Sequence, residues 1–247
     1  MFDPTTLEIA DPLDMSIAVE MIDDRWPVVV IDDFYRHPEA VRRLALSLSF
    51  HHHNGNYPGS FASISLPLGP VLETLVTVCG DQLGHLLGPH RYYLDCLFGM
   101  IDGDPGKLNA MQRQPHFDNF CDAAAVIYLN PPEHCAGGTS FWRHRGTVLV
   151  RVPDAIDDDW ALEAVSTSRS ATVEQLTRHC LDEALPEPGK GFPSVATEWW
   201  EPELTVPMRW NRLVAYDSRL FHTPDVPRVF GRHPASARLT QNLYFSS

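Results

Sequence analysis

In this chain of 247 residues, the side chains best placed to do chemistry sit in Gln114-Pro115-His116-Phe117-Asp118 and, much later, Leu220-Phe221-His222. Side chains on a strand alternate between its two faces, so His116 and Asp118 offer an imidazole and a carboxylate to one point. A strand across a barrel can bring the His222 imidazole to the same point. Two histidines and one carboxylate on one side of a divalent iron leave its remaining positions open for substrates. A lone His-x-Asp is weak, because 12 histidines and 32 acids produce such pairs by chance. Its plain reading is a surface or hydrogen-bonded pair, so the downstream sequence has to decide.

Downstream, Leu213-Val214-Ala215-Tyr216-Asp217 reads as a strand, and the chain turns over Ser218-Arg219 just before His222. Arg238 then opens an alternating strand on which Arg238, Thr240, Asn242 and Tyr244 share one face, and Leu239, Gln241, Leu243 and Phe245 the other. An arginine two residues before a hydroxyl suits a dicarboxylate: the guanidinium fork takes a carboxylate bidentately and the hydroxyl adds a donor. The other reading of Arg238 is a surface arginine on an edge strand. Arg228 and Arg232 lie between His222 and Arg238 as further candidates.

Composition narrows the function classes. A net charge of −13 argues against a nucleic-acid partner, which needs clustered Lys and Arg. Five cysteines without Cys-x-x-Cys spacing argue against a disulfide framework and a structural zinc site, and read as free thiols. No apolar run approaches the roughly 20 residues of a membrane-spanning helix. The first eleven residues carry acids and no basic run, so neither a secretory nor a transit signal is read there, and the expected location is the cytosol. The expected partner is a small-molecule, peptide or protein substrate, and the sequence leaves the oligomeric state open.

The elements that must position these residues follow in order. Residues 1–25 read as an acidic lead-in with one short strand at most. Trp26 to Ile31 is an apolar, β-branched strand. Val41, Leu44, Ala45 and Leu48 predict a helix over 40–50, opened by Pro38. His51-His52-His53 reads as a solvated or substrate-mouth loop, since three consecutive residues cannot all reach one metal from regular structure. Tyr57-Pro58-Gly59 is a turn. A helix is predicted over 67–87, ended by Gly88-Pro89. Strands are expected over 92–101, 108–117, 123–130, 137–142, 146–152, 204–208, 213–216, 220–222 and 238–245, with turns at 102–106 and 186–191. Gly137-Gly138 reads as a tight start to its strand. Residues 153–200 break the rhythm and read as an insertion, with a helix over 172–185 and a Thr172/Gln175 capping box. The insertion could lie as a lid over the site. Helices before a β domain suit an α+β fold in which they cover one sheet face. Trp142, His144, Trp199, Trp200 and Trp210 could line a substrate pocket, although aromatics are more often core.

These segments carry a resemblance. Pro115-His116-Phe117-Asp118, Val126 to Asn130, Gly137 to Phe141, Asn211 to Asp217 before His222, and Arg238-Leu239-Thr240 together resemble the prolyl-hydroxylase-like branch of the Fe(II)/2-oxoglutarate-dependent oxygenases. The opening Val30 to Phe34 strand with its Pro38 helix also resembles that superfamily. More narrowly, the whole chain is similar to a bacterial family of this fold known chiefly as uncharacterised. The resemblance implies a double-stranded β-helix, a jelly-roll or cupin-like barrel, with N-terminal helices packed on one sheet. It implies one domain over 1–247, with supporting elements over 1–90 and a core over 91–247. It further implies Fe(II) on His116, Asp118 and His222, with 2-oxoglutarate anchored by Arg238 and Thr240. Dioxygen would then be consumed as the keto acid goes to succinate and CO2 and a C–H bond is hydroxylated. Asp118 keeps the carboxylate that halogenating relatives lack. The tyrosine that often binds the co-substrate has no clear equivalent. Two other readings stand beside this one: a cupin-like metal enzyme that uses no keto acid, and a non-catalytic ligand-binding barrel. Replacement of Arg238 separates the first from the leading reading.

Overall fold

The computed structural model describes residues 3–52, 55–84, 93–102, 108–182, 198–227 and 230–246. Eleven strands form two antiparallel sheets among these residues. The strands are β1 (Ser16–Ile22), β2 (Trp26–Asp32), β3 (His51–His52), β4 (Ser60–Ser63), β5 (Tyr93–Ile101), β6 (Ala123–Tyr128), β7 (Gly138–His144), β8 (Trp200–Pro207), β9 (Leu213–Asp217), β10 (His222–Asp225) and β11 (Arg238–Ser246). Helices α1 (Pro38–Leu46) and α2 (Gly69–Leu83) precede β5, and α3 (Leu162–Ser168) and α4 (Val173–Asp182) lie between β7 and β8. The larger sheet has the order β1-β2-β9-β6-β11-β5-β4-β3, and the smaller β10-β7-β8.

Burial on both faces of the larger sheet explains its composition. On one face, Val29, Ile31, Ile127, Leu213, Leu239 and Leu243 pack with Val41 and Ala45 of α1 and Val71, Leu75, Cys79 and Leu83 of α2. The helical residues recur every four residues, one stripe of each helix. On the other face, Val28, Ala124, Tyr128, Val214 and Tyr216 pack with Phe141 and Val206 of the smaller sheet. The space between the sheets at this end holds the cavity described below. The alternation read in β11 is observed: Leu239, Leu243 and Phe245 enter the helix-side core, while Arg238, Asn242 and Tyr244 line the cavity.

The one short strand read in the lead-in is β1, whose seven residues all pair with β2. Several other expectations are corrected. Residues 108–117 form no strand: a 3-10 turn spans Met111–Arg113, and only His116 makes a bridge, to His222. Residues 146–152 contain a single bridge, Arg151 to Leu220, because Val148 adopts a left-handed φ of 56° that interrupts extended backbone. The helix expected over 40–50 ends at Leu46, and β3 follows with both histidines exposed. The described part of the insertion does not cover the cavity. Its α3 and α4 pack Ala164, Leu176 and Cys180 against Trp142, Trp200 and Phe221 on the outer side of the smaller sheet. Trp142 and Trp200 are therefore core, and His144 is buried there with Nδ1 2.9 Å from the Thr147 hydroxyl. Half of the predicted capping box is present, with the Gln175 backbone N–H donating to Thr172 Oγ1 at 3.2 Å, while the Gln175 side chain accepts from the Ala171 amide at 2.8 Å instead of from Thr172. All five cysteines are free thiols. No helix among the described residues is long and apolar enough to cross a membrane. The turn at 103–106, the loop at 186–191, Gly88-Pro89, His53 and Arg228 lie outside the described residues.

Candidate metal centre

Backbone pairing brings the two halves of the His, Asp, His set together. His116 and His222 exchange both backbone hydrogen bonds, at 3.0 and 2.8 Å, and the Asp118 amide donates to Ser218 O at 2.8 Å. That short ladder adds residue 116 to the free edge of β10. The turn supplying Ser218 is itself fixed. Buried Asp217 accepts from the Arg219 amide at 2.8 Å and from Arg151 Nε at 2.6 Å, and the Ser218 hydroxyl donates to Cys121 O at 2.6 Å.

One ligand atom from each of His116, Asp118 and His222 lies within 4.8 Å of the other two. His222 Nε2 is 3.6 Å from Asp118 Oδ2, and the two imidazole rings are 4.5 Å apart. Two donors each about 2.1 Å from one first-row ion are separated by at most about 4.2 Å, so small side-chain rotations complete a three-ligand face. Hydrogen bonds also set the ring nitrogens. His222 Nδ1 lies 2.8 Å from Leu220 O, and the His116 ring donates to the Gln114 carbonyl. A carbonyl only accepts, so each ring turns an N–H to it and its other nitrogen toward the shared point. Burial, with the facing His222 adding to it, holds His116 well below the usual histidine range. Burial pushes the Asp118 carboxyl up, opposed by His222. A largely enclosed carboxylate and two imidazole nitrogens turned to one point form a donor set that suits a divalent cation.

The set opens into a cavity of about 530 Å³ between the sheets. Ala124 of β6 leaves room there, and Arg238 stands on the opposite wall. Arg238 is 2% exposed; its Nη2 donates to Gly138 O at 3.0 Å, its guanidinium carbon lies 5.5 Å from the Tyr128 ring centre, and its Nε has no partner among the described residues. A buried cation met by a carbonyl and a ring face calls for an anion from outside the chain. Asn130 fixes the start of β11, with its amide donating to Ala237 O at 2.7 Å and accepting from the Leu239 amide at 2.8 Å, on either side of Arg238. Gly138 is without a side chain because a Cβ there would collide with the Val206 carbonyl, and this lets β7 and β8 close.

Tyr57 is the residue the sequence did not yield. Its hydroxyl is buried and makes no well-formed hydrogen bond among the described residues. It lies beside Thr240 and Arg238: a Cβ on Gly99 would stand 2.5 Å from Tyr57 Oη and 3.0 Å from Thr240 Oγ1. Burial raises this phenol, and the Arg238 charge pulls it back down. The Gln112 amide donates to Tyr57 O at 2.9 Å, and the ring stacks on Phe61 at 4.2 Å. Thr240 Oγ1 donates to Gly99 O at 3.5 Å. Arg238 and Tyr57 line one end of the cavity, whereas Thr240, fully buried behind them, and Arg232 are not among its lining residues.

The family of unknown function DUF6445 matches residues 13–245. The chain belongs to that family. No curated protein matches it by sequence. Among solved structures, this DUF6445 member is similar to the Fe(II)/α-ketoglutarate-dependent dioxygenase TqaL, with TM-score 0.40 and 10% identity over 85% of this chain and 73% of that one. It is also similar to a bsmA homologue from Methylobium petroleophilum PM1, with TM-score 0.32 and 15% identity over 95% of this chain and 78% of that one.

Proposed function

We propose that this protein is an Fe(II)/2-oxoglutarate-dependent dioxygenase that hydroxylates a C–H bond of an amino acid, peptide or protein side chain. Its proposed architecture is a single double-stranded β-helix domain over residues 1–247. One observation supports the reading: a His, Asp, His set and a buried arginine, with no acid paired to it among the described residues, line one cavity. His116, Asp118 and His222 would hold the iron, and Arg238, Thr240 and Tyr57 the distal carboxylate of the keto acid. When bound, iron and keto acid supply the oxidising power, with dioxygen consumed as succinate and CO2 are released. The chain's own part is positioning and electrostatics. Leu220 O and Gln114 O orient the two rings, and Asp118 contributes the negative charge. The Arg238 fork, held by Gly138 O, selects a dicarboxylate over a monocarboxylate. Small Ala124 leaves space for the reacting C–H group, and the aromatic wall of Phe61, Phe120 and Tyr244 packs against the rest of the substrate.

Anaerobic addition of Fe(II) and then 2-oxoglutarate tests the assignment. A metal-to-ligand charge-transfer band should form in the wild type and be absent from His116→Ala, and succinate release should follow over a panel of amino acids and peptides. No band, or a band that persists in His116→Ala, removes the assignment. Tyr57→Phe provides a separate check. Loss of one hydrogen bond to a charged ligand is worth about 1.5 kcal/mol or more, so the keto acid should bind at least about tenfold more weakly with Fe(II) affinity unchanged. Unchanged keto-acid affinity would remove Tyr57 from the site.

A further inference from the structure

We infer that β1 pairs antiparallel with β1 of a second copy of this chain, about a two-fold axis through Val19. β1 is the outermost strand of the larger sheet, and all seven of its residues pair in unbroken register with β2, from Ser16 opposite Asp32 to Ile22 opposite Trp26. Its other edge therefore offers backbone donors and acceptors along its length. Natural edges are blunted by bulges, prolines, inward charges or shortness. β1 has none of these: its only charged residue is Glu20, whereas the opposite edge strand, β3, has two residues. One face of β1 instead exposes Ile17, Val19 and Met21, by 45%, 39% and 46%. Three apolar side chains on an open edge are what a pairing strand covers.

The strand's own charge pattern favours a second copy as the occupant. With the axis through Val19, Ile17 stands opposite Met21 of the other copy, Val19 opposite Val19, and Glu20 opposite Ala18. Apolar meets apolar, and the one acid meets a neutral residue. Shifting the axis to Glu20 would set two carboxylates face to face, and shifting it to Ala18 would shorten the ladder, so Val19 is the selected centre. A single strand pair is a small interface, and each copy carries a net charge of −13. The dimer should therefore depend on concentration, and added salt should strengthen it by screening the repulsion.

Sedimentation velocity on the full chain over a micromolar dilution series tests this. The wild type should move from one copy, 27.8 kDa, to two as concentration rises, and further with salt. Val19→Lys should remain a single copy with an unchanged circular dichroism spectrum. Two single-cysteine variants test the register without a disruptive change. Opposite residues bring their Cβ atoms about 4.5–5.5 Å apart, and diagonal ones about 7–8 Å, whereas a disulfide needs about 3.5–4.5 Å. Val19→Cys should therefore cross-link on mild oxidation with little movement, and Ala18→Cys should not. A wild type that stays single at every concentration overturns the inference. So does a dimer that survives Val19→Lys in folded protein, or equal cross-linking by both cysteine variants.

Discussion

An Asp118→Asn variant is expected to lose Fe(II) binding while its chelator-treated form resists unfolding better than the wild type near neutral pH. The two effects share one cause. Asp118 is largely enclosed by the cavity wall, and burial raises its carboxyl above the usual range. A carboxyl whose folded pKa lies above its unfolded one binds protons more tightly when folded, so its ionised form opposes folding above that pKa. Asparagine keeps the shape and the Ser218 backbone contact without the charge. It should add about 1 kcal/mol of stability or more in chelator. Removing the only anionic ligand should weaken Fe(II) by more than the roughly 10–100-fold that follows loss of a group merely supporting a ligand. His116 works in the opposite sense on acidification. It is held neutral well below the ordinary histidine pKa of about 6.5, so the unfolded chain takes a proton that the folded chain refuses. Stability is lost as pH falls from that value. Asp118 offsets this in the wild type, because its folded form gains protons first. The chelated Asn variant should therefore lose stability more steeply in acid. Urea titrations of both proteins between pH 7 and 5, alongside Fe(II) titrations, measure all three effects. Retained Fe(II) affinity, or an Asn variant less stable than the wild type at neutral pH, would show that Asp118 is a structural acid.

What could be read from the sequence was whatever depends on local pattern. The apolar runs of β2, β6 and β9 and the alternation of β11 announce themselves, because burial on one or both sheet faces dictates residue type along a strand. His116 and Asp118 were found by their period-two spacing, and His222 by the strand and turn that lead into it. The short strand in the lead-in could not be placed more closely than residues 1–25, because the apolar face of β1 is not buried and composition alone gives it little weight. Tyr57 was missed for a different reason. It belongs to a turn, and its position depends on Gly99 of β5 and Thr240 of β11, 42 and 183 residues away along the chain. No local pattern encodes that meeting. The segment before His116 was misread as a strand because the His-x-Asp motif it leads into was itself placed on one. Its hydrogen bonds instead close a turn, with Asn109 and Gln112 bonding each other's backbone amides at 2.9 and 3.1 Å. His144 was read as a possible pocket residue. The fold turns it to the outer side of the smaller sheet, two residues beyond Trp142 and on the same face.

Arg238→Met should leave Fe(II) binding intact and raise the 2-oxoglutarate concentration needed for charge-transfer and turnover by about a hundredfold or more. Truncating one member of a buried, hydrogen-bonded charge pair costs about 2–5 kcal/mol, and each 1.4 kcal/mol is tenfold. The variant should not be less stable in the absence of ligand. The guanidinium is buried against Gly138 O and the Tyr128 ring with Nε unpaired, so methionine of similar length removes a desolvated charge and keeps the packing. Specificity provides the sharper reading. In the wild type the fork rewards a second carboxylate, so 2-oxoglutarate should bind far better than a keto acid with a methyl group in its place. In Arg238→Met that preference should collapse, while Arg238→Lys should keep part of it through charge without the bidentate geometry. Charge-transfer titrations with both keto acids, read beside a thermal melt, separate the outcomes. Full retention of the dicarboxylate preference in Arg238→Met would mean that another residue anchors the co-substrate. Turnover indifferent to any keto acid, with the metal still bound, would favour a cupin-like enzyme on the same three ligands.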